Sequence, residues 1–202
     1  MTKKYNSVLI IGMGLIGSSI SRALVENHVA NSVYGLDTND KIIKKCHDLN
    51  LLVQGETNLK NFDLQFDLII ICTPLSAYKN IFSSLSDFIS QPTLITDVGS
   101  TKMSTISDFK KAVTNNNITF VPSHPIAGLE KSGPEYGFSK LFDNRYCILT
   151  PYAKNDEATS SISEMWKSIG MTVEIMDADR HDRVLAMTSH IPQLIAFSVV
   201  GT

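Results

Sequence analysis

The chain has 202 residues, 43% of them hydrophobic and 19% charged, with a formal net charge of −2 and an isoelectric point near 6.2. That length can bury one substantial core with a little left over. The slightly acidic balance argues against nucleic-acid and membrane-surface roles, both of which need a basic patch, and the pairs Lys3-Lys4, Lys44-Lys45 and Lys110-Lys111 are short, scattered and read as solvated faces.

In chain order, Lys3-Lys4 before an apolar run has the outline of a signal peptide. Three glycines punctuate the run, however, and Arg22 and Glu26 follow it, which suits a strand, a turn and a helix better. Ser7–Ile11 reads as a buried strand, because parallel strands are covered on both faces and look continuously apolar. Leu15–Val25 is a helix with small residues on its first turn, and Val33–Asp37 a second strand ending in an acid. A helix over Asn39–Leu49 precedes a short third strand at Leu52-Val53.

Asp67–Cys72 is the clearest strand, stopped by Thr73-Pro74. Then come a helix over Ala77–Ile89, the strand Thr93–Asp97, a turn through Val98-Gly99-Ser100 and a helix from Lys102 to Val113. The strand Ile118–Val121 delivers Ser123-His124-Pro125 at its carboxyl end. Residues 129–144 read as a long structureless loop, which is usually functional. The strands Tyr146–Leu149 and Thr172–Ile175 flank a helix over Glu157–Ile169, and a single long helix starts near Asp179.

This alternation defines an α/β fold, a Rossmann-type doubly wound and mostly parallel sheet. Residues 1–178 form that domain, and residues 179–202 the first helix of an incomplete helical one. The last apolar stretch, Leu194–Val200, is too short to span a bilayer. Cys46, Cys72 and Cys147 are odd in number and lack C-x-x-C spacing, which fits a reducing, cytoplasmic setting rather than a disulfide framework or a zinc site. No metal site is expected.

Gly12-Met13-Gly14-Leu15-Ile16-Gly17 matches G-x-G-x-x-G directly after a strand and at the start of a helix. The first glycine allows the turn, the second lets a pyrophosphate approach the backbone, and the third lets helix and strand pack closely. The helix amino terminus, with Leu15 and Ile16, would face the phosphates. Asp37 ends the next strand, where a carboxylate binds the adenosine ribose hydroxyls. It would repel a 2′-phosphate, and Thr38 and Asn39 supply no arginine to hold one, so NAD is favoured over NADP.

Thr73, Pro74, Val98, Gly99 and Ser100 follow other strand ends and should line the same crevice. Proline alone accounts for strand termination at Thr73-Pro74, and Ser100 reads equally well as a helix N-cap. His124 is the strongest catalytic candidate: it follows a strand, precedes a proline, and can accept a proton from a hydroxyl near neutral pH. A histidine satisfying loop hydrogen bonds is the competing reading. His190 falls inside the final apolar helix, while His28, His47 and His181 are flanked by polar residues and read as exposed; Asp179-Arg180-His181-Asp182 looks like a charged helix start.

Four ordered motifs carry a resemblance: Gly12–Ser19, Asp97–Lys102, Ser123–Gly128 with Glu130-Lys131-Ser132-Gly133, and Thr188–Pro192. Together they are similar to the prephenate/arogenate dehydrogenases of tyrosine biosynthesis. The resemblance implies NAD-dependent oxidative decarboxylation of a cyclohexadienyl substrate, prephenate or arogenate. It makes His124 the acceptor of the hydroxyl proton and Ser100 a catalytic partner beside it. Lys102 becomes a supporting residue at the substrate, Glu130 a gate to the pocket and His190 a substrate contact.

Members of that family continue into a helical dimerisation domain carrying an arginine that grips a substrate carboxylate. Residues 191–202 contain neither Lys nor Arg. A homodimer is therefore implied for the family and open for this chain. One alternative is a truncated module that holds NAD(H) without turnover. Another is a Rossmann hydroxy-acid dehydrogenase of the 3-hydroxyisobutyrate type, against which the Ser123–Gly128 and Thr188–Pro192 motifs speak.

Overall fold

The computed structural model describes residues 5–187. Strands β1 (Tyr5–Ile11), β2 (Ala30–Leu36), β3 (Gln54–Glu56), β4 (Leu68–Ile71), β5 (Thr93–Asp97) and β6 (Ile118–Phe120) form one parallel sheet in the order β3-β2-β1-β4-β5-β6. Helices α1 (Leu15–Glu26), α2 (Asp40–Asp48), α3 (Tyr78–Phe88) and α4 (Met103–Ala112) connect the strands. That order is the doubly wound Rossmann arrangement, whose switch point lies between β1 and β4.

Burial on both faces explains the unbroken apolar runs. Along β1, Val8 and Ile10 point into one core cluster while Leu9 and Ile11 point into the other. β4 repeats the division, with Leu68 and Ile70 on the first side and Ile69 and Ile71 on the second. The first cluster packs under Ile20, Ala23 and Leu24 of α1, the second under Tyr78, Phe82 and Leu85 of α3 and Phe109 of α4. The third strand lies slightly later than Leu52-Val53: Val53 already donates to the Val33 carbonyl at 2.8 Å, and the ladder proper runs over Gln54–Glu56.

The sheet does not continue through the later strands. β7 (Ser123–Pro125), β8 (Tyr146–Leu149) and β9 (Thr172–Ile175) form a separate three-stranded sheet, with β7 antiparallel to β8 and β8 parallel to β9. The break falls at Pro122. Val121 still donates to Ile95 of β5, but Pro122 has no N–H to extend that ladder, and its carbonyl accepts from Thr150 just after β8. Helix α5 (Asp156–Ser168) covers this second sheet, burying Ile162, Met165 and Trp166 in the same cluster as Cys147 and Leu149.

Residues 129–144, expected as a structureless loop, contain two short 3-10 turns at Pro134–Tyr136 and Ser139–Phe142. Leu141 and Phe142 are buried in the core, and the segment straps onto α1: Phe138 N donates to Ser19 Oγ at 3.2 Å and Arg22 Nη2 to the Pro134 carbonyl at 3.3 Å. Helix α6 (Ala178–Leu185) is the last α-helix among the described residues. No helix among them is long and apolar enough to cross a membrane.

Candidate active site

The glycine turn leaves β1 with the geometry its spacing demands. Gly12 has φ +95°, and a Cβ there would lie 2.8 Å from the carbonyl carbon and oxygen of Cys72. A Cβ on Gly17 would sit 2.1 Å from the Gly12 carbonyl oxygen, so only glycine lets α1 approach the turn this closely. Gly14 differs: a Cβ there meets nothing within 4 Å. The second glycine therefore opens onto free space, which is the requirement for a pyrophosphate resting against backbone.

The amino end of α1 fits an anion on two further counts. Its cap residue, Gly14, provides no side-chain hydrogen bond, and its first turn has no acidic residue, so the first-turn amides and the positive end of the helix dipole face outward uncompensated. Asp37 sits at the end of β2, where its Oδ2 accepts from Met13 N and its Oδ1 from Asn39 N, both at 2.9 Å. A cavity of about 620 Å3 is lined by Gly12, Gly14, Asp37, Thr73 and Pro74. Thr73 Oγ1 is buried against it without a hydrogen-bond partner among the described residues, an acceptor and donor left for a ligand. A second cavity of about 410 Å3, lined by Gly14, Leu15, Ile16 and the segment Ala127–Leu129, continues from it. Residue by residue, this cradle fits a dinucleotide.

His124 reaches the same edge of the sheet through β7, and the residue before it is fastened to Asp97, Trp166 and Lys102. Ser123 N donates to Asp97 Oδ1 at 3.0 Å, and the Ser123 hydroxyl donates to the Asp97 carbonyl. Trp166 Nε1 donates to Ser123 Oγ at 3.2 Å, and Lys102 Nζ donates to the Ser123 carbonyl at 2.6 Å. Asp97 closes the cluster by accepting from Lys102 Nζ at 2.6 Å and Gly99 N at 2.9 Å. Asp97 and Lys102 are both fully buried. Burial pulls the Lys102 ammonium below its usual value, and Asp97 opposes that pull.

The structure changes the reading of several residues. Lys102 does not present its ammonium to the crevice; it lies beneath β7 and ties Asp97 to Ser123, because an amine at zero exposure needs an anion and a carbonyl at hand. Ser100 is not the cap of α4, which begins at Met103 after Lys102. The cap is instead supplied from α6, where Asp182 accepts from Lys102 N at 2.8 Å and Met103 N at 3.0 Å. Ser100 lies half-buried in the turn after β5.

Gly99 is buried with its amide on Asp97, and the Val98 amide donates to the Ile71 carbonyl, so neither amide is available to a cofactor. Pro74 and Glu130 are exposed, Glu130 in the segment between β7 and the first 3-10 turn. His190 lies outside the described residues.

His181 overturns its sequence reading outright. Polar neighbours suggested exposure, yet the side chain is fully buried, with Nε2 2.9 Å from His124 Nδ1 and Nδ1 2.8 Å from Asp182 Oδ1. Burial pushes its pKa down, against the pull of Asp182. For Asp182, burial alone would raise the carboxyl, but two backbone amides and His181 hold it below its ordinary value. The only sequence signal was the i to i+1 pairing of a histidine and an acid at a helix start. No group of three or more His, Cys, Asp or Glu among the described residues could hold a metal ion.

A parallel sheet ordered 3-2-1-4-5-6 and a glycine turn with open space at its second glycine define a dinucleotide-binding Rossmann domain. Comparison with known proteins gives the family. Residues 20–175 match the prephenate dehydrogenase nucleotide-binding domain. The chain is 34% identical to a cyclohexadienyl dehydrogenase of Zymomonas mobilis over 98% of its length, and 31% identical to a prephenate dehydrogenase of Bacillus subtilis over 99%. A solved prephenate dehydrogenase of A. aeolicus, in complex with hydroxyphenyl propionate and NAD+, superposes with a TM-score of 0.90 at 33% identity, covering 97% of this chain and 68% of that one.

The chain spans 67% of the Zymomonas protein and 54% of the Bacillus protein. It belongs to the prephenate dehydrogenase family, as a nucleotide-binding domain of that family.

Proposed function

We propose that this protein takes part in the NAD-dependent oxidative decarboxylation of prephenate or arogenate, yielding 4-hydroxyphenylpyruvate or tyrosine. The observation that carries the reading is the placement of His124. Ser123 is held to Asp97, Lys102 and Trp166, so His124 is fixed at the carboxyl edge of the sheet, next to the end of β5. A bound dinucleotide would supply the acceptor for the hydride leaving the ring carbon that bears the hydroxyl.

His124 takes the hydroxyl proton as that carbon becomes a carbonyl. Loss of carbon dioxide then makes the ring aromatic as a phenolate, to which His124 returns the proton. Ser100, in the turn beside β5, is assigned to hold the hydroxyl, and Glu130 to border the pocket entrance. Asp37 supports NAD over NADP, since its carboxylate, fixed by two amides, would face a 2′-phosphate.

The test is a fluorescence titration of the chain with NADH and NADPH, together with turnover of prephenate and arogenate. Saturable binding of NADH at least about tenfold tighter than NADPH is expected from a charge conflict worth about 1.4 kcal/mol or more. His124→Asn should lower turnover by about 100-fold or more, the range for removing a proton acceptor, while NADH binding persists. Loss of NADH binding in the same variant would instead assign His124 a structural role, and no NADH binding by the parent chain would refute the reading.

A further inference from the structure

Behind His124 the fold stacks two more titratable side chains, His181 and Asp182, brought from α6 across 57 residues of sequence. The direction of the protons along this line follows from its far end. Asp182 Oδ1 accepts from Lys102 N and its Oδ2 from Met103 N, an arrangement that holds a carboxylate rather than a carboxylic acid. His181 Nδ1, 2.8 Å from Oδ1, must therefore carry a hydrogen.

His181 has no exposed surface, and burial holds it toward its neutral form. A neutral imidazole with its hydrogen on Nδ1 offers a lone pair at Nε2. That lone pair faces His124 Nδ1 at 2.9 Å, so Nδ1 is the nitrogen of His124 that bears the hydrogen.

We propose that His181 and Asp182 are positioning residues that lock His124 in its Nδ1–H tautomer, making Nε2 the atom that receives a proton from a ligand hydroxyl. Free imidazole side chains prefer the opposite tautomer in water, so the selection has to come from the protein. The line also stabilises His124 once it is protonated, because the new imidazolium keeps an acceptor at Nδ1 and a carboxylate one ring further on. This is the orienting role that an aspartate plays for the histidine of a Ser-His-Asp triad, with one imidazole inserted between them. Only the part concerning a ligand hydroxyl rests on the proposed dehydrogenase function; the tautomer stands apart from it.

The experiment is long-range proton–nitrogen correlation NMR on the histidine-labelled chain at neutral pH, with signals assigned by single substitutions. His124 should show a protonated Nδ1 and a bare Nε2. His181→Phe removes the acceptor while leaving Asp182 on its two amides, and should move His124 to a mixture dominated by Nε2–H. His181→Gln restores an acceptor oxygen and should return the Nδ1–H tautomer. A merely structural role would track melting temperature in both variants and leave the tautomer unchanged. In a chain that turns over prephenate or arogenate, kcat should fall on the order of tenfold to a hundredfold in His181→Phe and recover in part in His181→Gln, with NADH affinity within about twofold of the parent.

An Nε2–H tautomer in the parent chain, or one unaffected by His181→Phe, overturns the proposal even if NADH binds. The expected tautomer in a chain that fails to bind NADH would retain the lock and refute the dehydrogenase reading alone.

Discussion

At the scale of single residues, the three glycines of the turn do different work, and substitution separates them. A Cβ at Gly17 would collide with the Gly12 carbonyl oxygen at 2.1 Å, whereas one at Gly14 would point into open space. Gly17→Ala should therefore lower stability by about 1–3 kcal/mol, the usual cost of overpacking, in urea unfolding. Gly14→Ala should unfold at an unchanged midpoint and still weaken NADH binding about tenfold or more, because the methyl fills the space meant for a pyrophosphate. Equal loss of stability in both variants would contradict this division. Lys102 makes a comparable point about charge. Lys102→Met leaves Asp97 buried without its cation, and the expected cost is about 3–5 kcal/mol by denaturant titration. A near-neutral result would show that the buried pair adds nothing to stability.

At the scale of elements, the segment 129–144 shows how a region with loop-like composition becomes part of the core. Gly and polar residues dominate it, yet Phe142 has no exposed surface and its ring packs against Trp166 at a centroid distance of 6.0 Å. Gly137 lies so close to α1 that a Cβ would sit 2.2 Å from Ser18 Oγ. The strap thus joins the amino end of α1, where the dinucleotide cradle is built, to α5 and the second sheet. Phe142→Ala should cost about 3–5 kcal/mol, and hydrogen exchange should speed up in α1 and the strap together. Acceleration confined to the strap would show that the two are not coupled.

For the whole molecule, buried ionisable groups set the response to acid. His181 has its folded pKa lowered from the ordinary 6.5, by burial above all. Between those two values the unfolded chain binds the extra proton, so stability rises with pH across the window. The contribution is complete above about 6.5 and is lost as pH falls through the lowered value. Asp182, also lowered, adds a loss at more acidic pH, below the ordinary carboxylate range. Melting temperature should accordingly begin to decline below about pH 6.5, before most carboxylates titrate, and His181→Gln should flatten that first decline. An unchanged slope in the variant would place the acid-sensitive group elsewhere.

Much of this architecture is legible in local sequence. The parallel sheet follows from apolar runs such as Leu68–Ile71, which must be covered on both faces, and the dinucleotide cradle follows from glycines at fixed spacing and an acid at the next strand end. His124 could be singled out because a strand and a proline bracket it. What the tertiary structure alone decided is the set of partners around that histidine. Pairing of β7 with β8 rather than with the main sheet, the burial of Lys102 on Asp97, and the return of His181 and Asp182 behind His124 each join residues from separate elements.

Polar neighbours in the sequence made His181 look solvent-facing, since single-chain patterning registers hydrophobicity but not hydrogen-bond satisfaction. A buried polar group is tolerated only when remote elements supply its partners, and those partners exist only once the chain has folded. Local sequence determined the glycine cradle and marked out His124, and long-range packing decided what holds that histidine in place.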